Sequence, residues 1–285
     1  MGAFLHRHRR LTPYLLLAPG LLWLGMFFLV PLGFLGYQSL ESGSYGSFEF
    51  TWEFSNFSDA LSDYREQLVR SFFYAGIATL ACFVLAYPLA YWIAFRAGPW
   101  RNLFLLIVVA PFFVTYLVRT LAWLNILADE GPVVGLLRDV HLLGAEEGLV
   151  YSTFAVVAGI AYNFFPFMAL PLYVSLEQID PRMLEAAKDL YASSTQAFLR
   201  VTLPLSAPGI VAGTLLTFIP AAGDFINADL LGTPNQQMIG NVIQGKFLES
   251  LDYPTAASLS FVLMASILVT LLVYARIVGS ERLTG

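Results

Sequence analysis

The chain has 285 residues, of which 58% are hydrophobic and only 12% charged, about half the charged share of a soluble domain. A net charge of −5 excludes the basic face that nucleic acid requires. The single cysteine, Cys82, excludes an internal disulfide and a cysteine zinc cluster and is expected to act as a small hydrophobe inside a helix.

Crossing a hydrocarbon core takes about 20 apolar residues of helix. Six stretches meet or approach that length: residues 14–37, 72–95, 102–127, 149–172, 206–223 and 255–275. Five hold no Asp, Glu, Lys or Arg, and the third holds only Arg119. Backbone polar groups in lipid must be satisfied within the segment. The pattern therefore predicts an all-α integral membrane protein, one domain of six transmembrane helices. The first stretch follows His6-Arg7-His8-Arg9-Arg10. It is too long for a signal-peptide core and reads as a retained signal-anchor helix.

Placing the N-terminus inside puts ten of the fifteen basic residues on the inner side: Arg7, Arg9, Arg10, Arg96, Arg101, Arg182, Lys188, Arg200, Arg276 and Arg282. Arg65, Arg70, Arg138 and Lys246 fall outside. The positive-inside rule then predicts a multi-pass protein with both termini in the cytoplasm. Acidic residues run the other way. Glu41, Glu49, Glu53, Asp59, Asp63 and Glu66 lie in the first outer loop, and Asp129, Glu130, Asp139, Glu146 and Glu147 in the second. Such a face either draws a cationic solute or a partner, or simply solvates exposed loops.

Between the fourth and fifth spans, residues 175–205 predict two short helices. Asp180 caps the first, with Pro181 at its first position. Met183, Leu184, Ala187 and Leu190 recur at helical spacing, and Glu185 and Lys188 sit one turn apart on the exposed side. Ser193-Ser194-Thr195-Gln196 has the form of a capping box. Phe198 and Val201 continue the apolar face, and Pro204 is expected to stop the helix. The result is an amphipathic helix–turn–helix at the inner surface, able to transmit force to a partner.

Glu185-Ala186-Ala187-Lys188-Asp189-Leu190-Tyr191-Ala192-Ser193, followed by Phe198, Val201 and residues 203–210 (Leu-Pro-Leu-Ser-Ala-Pro-Gly-Ile), resembles the EAA loop of binding-protein-dependent ABC importer permeases. Residues 11–19, 118–123, 218–225, 229–232 and 239–243 extend the resemblance, the later ones toward the polyamine (spermidine/putrescine) branch. It implies the type I importer architecture in a bacterial inner membrane. It also implies a second permease subunit, two cytoplasmic ATPase subunits that bind the ATP and Mg²⁺, and an extracytoplasmic solute-binding protein. Glu185, Ala186, Ala187, Asp189, Leu190, Tyr191, Ala192 and Ser193 would form the ATPase-coupling segment. The family carries Gly where this chain has Tyr191. Gly there permits a positive-φ turn that Tyr adopts only with strain, so either the turn or the coupling contact differs here.

Pro220, Gly223-Asp224 and Asn227-Ala228-Asp229 predict a break at the outer end of the fifth helix and a short helix after it. Gly209 and Gly213 form a G-x-x-x-G pair, read equally as close helix packing or as chance in a Gly-rich segment. Residues 240–247 nearly match a phosphate-binding loop, but Phe247 replaces the required hydroxyl, so no nucleotide site is expected in this chain. Arg119 either serves a pathway, or snorkels outward or pairs with Asp224 or Asp129. Asp224 is the candidate carboxylate for an ammonium group. Tyr116, Trp123, Tyr162 and Phe165 are candidate pathway aromatics, set against ordinary packing. No metal site is expected.

Two other classes compete. An ion-driven carrier would show midplane carboxylates and inverted repeats, and neither is evident. An intramembrane enzyme would need paired catalytic groups, yet His6, His8 and His141 all lie outside the spans.

Overall fold

The computed structural model describes residues 12–141, 143–144 and 148–278. The basic start with His6, Arg7, His8, Arg9 and Arg10, the acidic pair Glu146 and Glu147, Arg282, and both chain ends lie outside the described residues.

The chain divides into two compact units, residues 1–63 with 245–262, and residues 64–244 with 263–285. In the first, α1 (Thr12–Leu24) passes through a π-helical turn, Gly25–Leu29, into α2 (Val30–Gln38). Strands β1 (Glu41–Ser42) and β2 (Glu49–Phe50) pair antiparallel in the register Glu41↔Phe50, Ser42↔Glu49. Helix α3 (Ser55–Asp63) follows. Asn56 Nδ2 ties this hairpin down by donating to the Ser39 carbonyl at 3.0 Å and the Glu41 carbonyl at 2.8 Å. The short ladder is the one departure from an all-helical chain among the described residues.

The second unit is built on α4 (Arg65–Phe95), α8 (Thr153–Glu177) and α12 (Ala207–Ala222). Helix α4 turns a stripe of small residues, Ala75, Ala78, Cys82, Ala86 and Ala90, into the core. In lipid there is little hydrophobic drive between helices, so close van der Waals contact has to supply the packing energy, and small residues allow it. The G-x-x-x-G pair works the same way against α8. A Cβ on Gly209 would stand 2.5 Å from Ser175 Cβ and 2.6 Å from the Pro171 carbonyl, and one on Gly213 would stand 2.8 Å from Met168 Sδ. Of the two readings open to the sequence, the structure shows close packing. Cys82 is fully buried, its thiol 3.2 Å from the Ala161 carbonyl.

Among the described residues, four helices are long and apolar enough to cross a membrane: Leu16–Gln38, Arg65–Phe95, Thr153–Glu177 and Tyr253–Ile277. Two bent pairs bring the number to six if each crosses as one: Gly98–Phe113 with Tyr116–Asp139, at 98°, and Ser194–Leu205 with Ala207–Ala222, at 61°. The first pair corrects the expectation of one continuous helix over 102–127. Helix α5 (Arg101–Val109) tightens into a 3₁₀ turn, Ala110–Phe113, Val114 and Thr115 are extended, and α6 (Tyr116–Leu127) then starts afresh. Pro111 has no N–H to give the ladder and its ring crowds the preceding turn. The residues after it, Phe112-Phe113-Val114-Thr115, are aromatic or β-branched and weak helix formers. Helix α7 (Pro132–Asp139) precedes α8, which Ser152 caps by accepting from the Ala155 N–H at 3.2 Å. After α12 the chain breaks at Gly223 and resumes as α13 (Ile226–Leu231), as the sequence led us to expect, before α14 (Ile239–Gln244) and α15 (Tyr253–Val278).

Candidate functional site

The break in the third span and the break after α12 meet. Asp224 is only 7% exposed. Its Oδ1 accepts from the Tyr116 hydroxyl at 2.7 Å, and its Oδ2 accepts from the Asn227 N–H at 3.2 Å and the Asn227 amide at 3.0 Å. The Asn227 amide also donates to the Tyr116 hydroxyl at 2.6 Å, while its Oδ1 accepts from Thr120 and from Asn163, each at 3.3 Å. Three elements thus close one polar network: α6 gives Tyr116 and Thr120, α8 gives Asn163, and the segment after α12 gives Asp224 and Asn227. Gly159 makes room for it, because a Cβ there would stand 2.6 Å from Asn227 Oδ1. A buried polar group left unpaired costs about 1–3 kcal/mol. Asn163 Oδ1 is left so among the described residues.

Arg119 lies one turn beyond Tyr116 and is 8% exposed. Its guanidinium carbon is 5.6 Å from the ring centres of both Phe112 and Tyr116, and its Nε and Nη1 are buried without a hydrogen-bond partner. Among the described residues it forms no ion pair, and its side chain is buried rather than extended to the surface. Asp129 instead faces Arg138 at 3.5 Å, and the contacts to Asp224 come from Tyr116 and Asn227. Phe112 packs on Phe167 at 5.1 Å and Tyr116 on Phe164 at 6.0 Å. The structure therefore assembles Asp224, Tyr116 and Arg119. It keeps Trp123 and Tyr162 as an edge-on pair at 5.5 Å, and it packs Phe165, partly buried, against a hydrophobic cluster that holds Met168 and Leu172. Asn163, Thr120, Asn227 and Phe112 were missed from the sequence. A mid-span Asn was the one signal that could have raised Asn163.

The helix–turn–helix is formed. Asp180 accepts from the Arg182 N–H at 2.9 Å, with Pro181 opening α9 (Pro181–Asp189). Ser193 and Gln196 cap α10 (Ser194–Ala197) reciprocally, at 3.2 and 2.9 Å. Between them Tyr191 takes φ +58°. The Ala192 N–H reaches the Ala187 carbonyl at 3.0 Å and the Tyr191 N–H the Lys188 carbonyl at 2.9 Å, the paired bonds of a helix end with a left-handed residue at this place. The turn is thus built as Gly would build it, with Tyr in the strained position and the residue 97% exposed. Glu185, Ala186, Asp189 and Ser193 are exposed too, and Ala187 and Ala192 are half-buried. Met183 and Leu190 depart from the expected apolar face: both are exposed, while Leu184 and Ala187 are half-buried. Pro204 does not end the helix. A π-helical turn, Phe198–Thr202, carries it to α11 (Leu203–Leu205), and the 61° bend falls at Ser206.

This loop is fastened to the helices on both sides. Phe198 packs edge-on against Tyr87 at 5.6 Å and Tyr91 at 6.0 Å, and Tyr87 bonds to Ser206 at 2.8 Å. Arg101 bridges to Glu177 at 2.5 Å, at the end of α8. A groove of about 860 Å³ runs beside Pro171, Val174, Met183, Pro204 and Leu216. Its walls are apolar apart from Asp180 and a few neutral polar side chains, which does not suit a polyvalent cation. In the near-match to a phosphate loop, Lys246 pairs with Asp252 at 3.0 Å.

The family model for the binding-protein-dependent transport system inner membrane component matches residues 10–279. The spermidine/putrescine transport system permease protein PotB of Haemophilus influenzae is 36% identical over 256 residues, covering 89% of this chain and 90% of that protein. PotB of Escherichia coli K12 shows the same identity and covers 93% of its own length. The E. coli inner membrane ABC transporter permease protein YdcU is 33% identical over 216 residues, 72% of this chain and 68% of that one. Among solved structures, a chain of a bacterial ABC transporter involved in import of the acidic polysaccharide alginate aligns over 99% of both chains with a TM-score of 0.74 at 18% identity. The same kind of transporter in complex with an alginate pentasaccharide-bound periplasmic protein gives 0.76.

Proposed function

This chain belongs to the family of inner membrane components of binding-protein-dependent transport systems, and from that membership we propose that it moves polyamines. It is the permease subunit of an ABC importer. The observation that carries the cargo reading is the 36% identity, along nearly the whole chain, to permeases named for spermidine and putrescine. The buried Asp224 beside Tyr116 supports it, since a carboxylate with an aromatic neighbour is the chemistry that holds an alkylammonium group.

In this reading an external solute-binding protein delivers the polyamine. A second permease completes the pathway, and two cytoplasmic ATPases hydrolyse ATP against α9. Both termini lie in the cytoplasm. The segment from Glu185 to Ser193 is the docking element, with Met183, Leu190 and Tyr191 as exposed apolar contacts. Its position explains the coupling. The loop joins the end of α8, which carries Asn163, to the start of α12, which leads into Asp224, so a push on α9 reaches the polar network from two sides.

The test is uptake of labelled spermidine and putrescine by the reconstituted importer with its binding protein. ATP-dependent uptake is expected. ATP-dependent import of another solute, with polyamines ignored, would overturn the cargo reading. Uptake that survives loss of the ATPase and collapses with an uncoupler would replace the mechanism by an ion-driven one.

A further inference from the structure

Resting on the polyamine reading, we propose that Arg119 is a resident stand-in for the cargo's ammonium group, which keeps the aromatic site closed until cargo displaces it. The setting has the parts of an alkylammonium cage: the Phe112 and Tyr116 rings, each 5.6 Å from the charge, and behind Tyr116 the carboxylate of Asp224, 2.7 Å from its hydroxyl. The cage is already filled by a cation, and that cation belongs to the protein.

Two features show that Arg119 is not held there for its own stability. Its Nε and Nη1 are buried with no hydrogen-bond partner, an arrangement that leaves a costly charge unsatisfied in a membrane protein. Asp224, the nearby carboxylate of the network, is bonded to Tyr116 and Asn227 and forms no ion pair with Arg119 among the described residues. A guanidinium and a carboxyl group thus flank one ring without joining. An ammonium group entering between Tyr116 and Asp224 would take the carboxylate as partner, and repulsion would drive the guanidinium out. The extended link at Val114 and Thr115, immediately before α6, supplies the joint on which α6 can turn as Arg119 leaves.

A resident cation lowers the affinity of the resting importer for free polyamine and holds the pathway for cargo handed over by the binding protein. The test uses the intact complex of permeases and ATPases in nanodiscs, with labelled spermidine and no binding protein. Arg119→Gln, which removes the charge, is expected to bind spermidine about tenfold more tightly than the wild type, as loss of a competing cation–π contact implies. Arg119→Lys is expected to stay near the wild type. Unchanged or weaker binding by the Gln variant overturns the proposal. Should that variant fail to assemble, Arg119→Met keeps the apolar stem and serves in its place, and failure of both would show a structural role and overturn the proposal equally. A wild-type importer that carries no polyamine with its binding protein defeats the cargo reading instead, so the two failures are told apart.

Discussion

Tyr191 stands where the turn between α9 and α10 asks for glycine. A left-handed conformation costs a non-glycine residue about 1–2 kcal/mol, and glycine would return roughly 0.5–1 kcal/mol of that through the freedom of the unfolded chain. Tyr191→Gly is therefore expected to be more stable by about 0.5–1 kcal/mol, a small rise in the melting temperature of the complex. The residue is almost wholly exposed and tyrosine is a frequent interface anchor, so loss of the ring is expected to weaken ATPase docking about tenfold. Equal or tighter docking, titrated with the purified ATPase, would show that the ring is a burden carried for another reason. Asp224→Asn keeps the shape of the network and removes its charge. Polyamine uptake is expected to fall by about tenfold or more, the worth of a charge-assisted hydrogen bond, and an unchanged uptake curve would remove Asp224 from the pathway. The network's carboxylate and the cation beside it were legible in the sequence, since Asp224 and Arg119 interrupt apolar runs. Asn227, Thr120 and Asn163 were not. Their residue types are unremarkable in membrane helices, and their meeting depends on the close approach that Gly159 allows.

Local signals served best at the scale of the helix. The caps of α9 and α10 were readable because capping is written in four or five neighbouring residues. The break at Val114 was not, because hydropathy is blind to it and Pro111 by itself is tolerated in many spans. The G-x-x-x-G pair lies between these cases: its spacing was visible, but only the partner helix shows that both positions are full. That contrast gives a paired prediction. Gly209→Ala places a methyl group against Ser175 and Pro171 and is expected to cost about 1–3 kcal/mol, as overpacking does. Gly76→Ala meets nothing within 4 Å and is expected to stabilise α4 slightly. Thermal unfolding of the two variants in the same detergent checks this, and equal melting temperatures would mean that the α8–α12 contact yields without cost. In α9, Glu185 is exposed and Ala187 half-buried. Glu185→Lys should thus lose the ATPase from a pull-down with the fold intact, whereas Ala187→Asp also disturbs the loop. Normal copurification of the ATPase with Glu185→Lys would take that residue out of the docking contact.

The whole permease must alternate access while keeping every buried backbone group satisfied, and the packing indicates which part moves as one. Helix α12 lies against α8 too closely for a Cβ at Gly209 or Gly213, and α4 buries its stripe of small residues in the same core; tightly packed interiors switch between discrete arrangements rather than deform. The jointed parts are elsewhere: the extended link before α6, the bend at Ser206 and the break at Gly223. Cys82 offers a native probe of this division. It is the only cysteine in the sequence, it is fully buried in the core of the second unit, and its thiol lies against the Ala161 carbonyl of α8. If α4 and α8 travel together, a membrane-permeant maleimide should label Cys82 equally slowly in the resting importer and in one trapped with ATP. A cysteine placed at Phe113, 83% exposed beside the extended link, should change its labelling rate between the same two states. Rapid labelling of Cys82 in the ATP-trapped state alone would show that α4 parts from α8 during transport, and the moving boundary would then run through the core instead of through the broken helices.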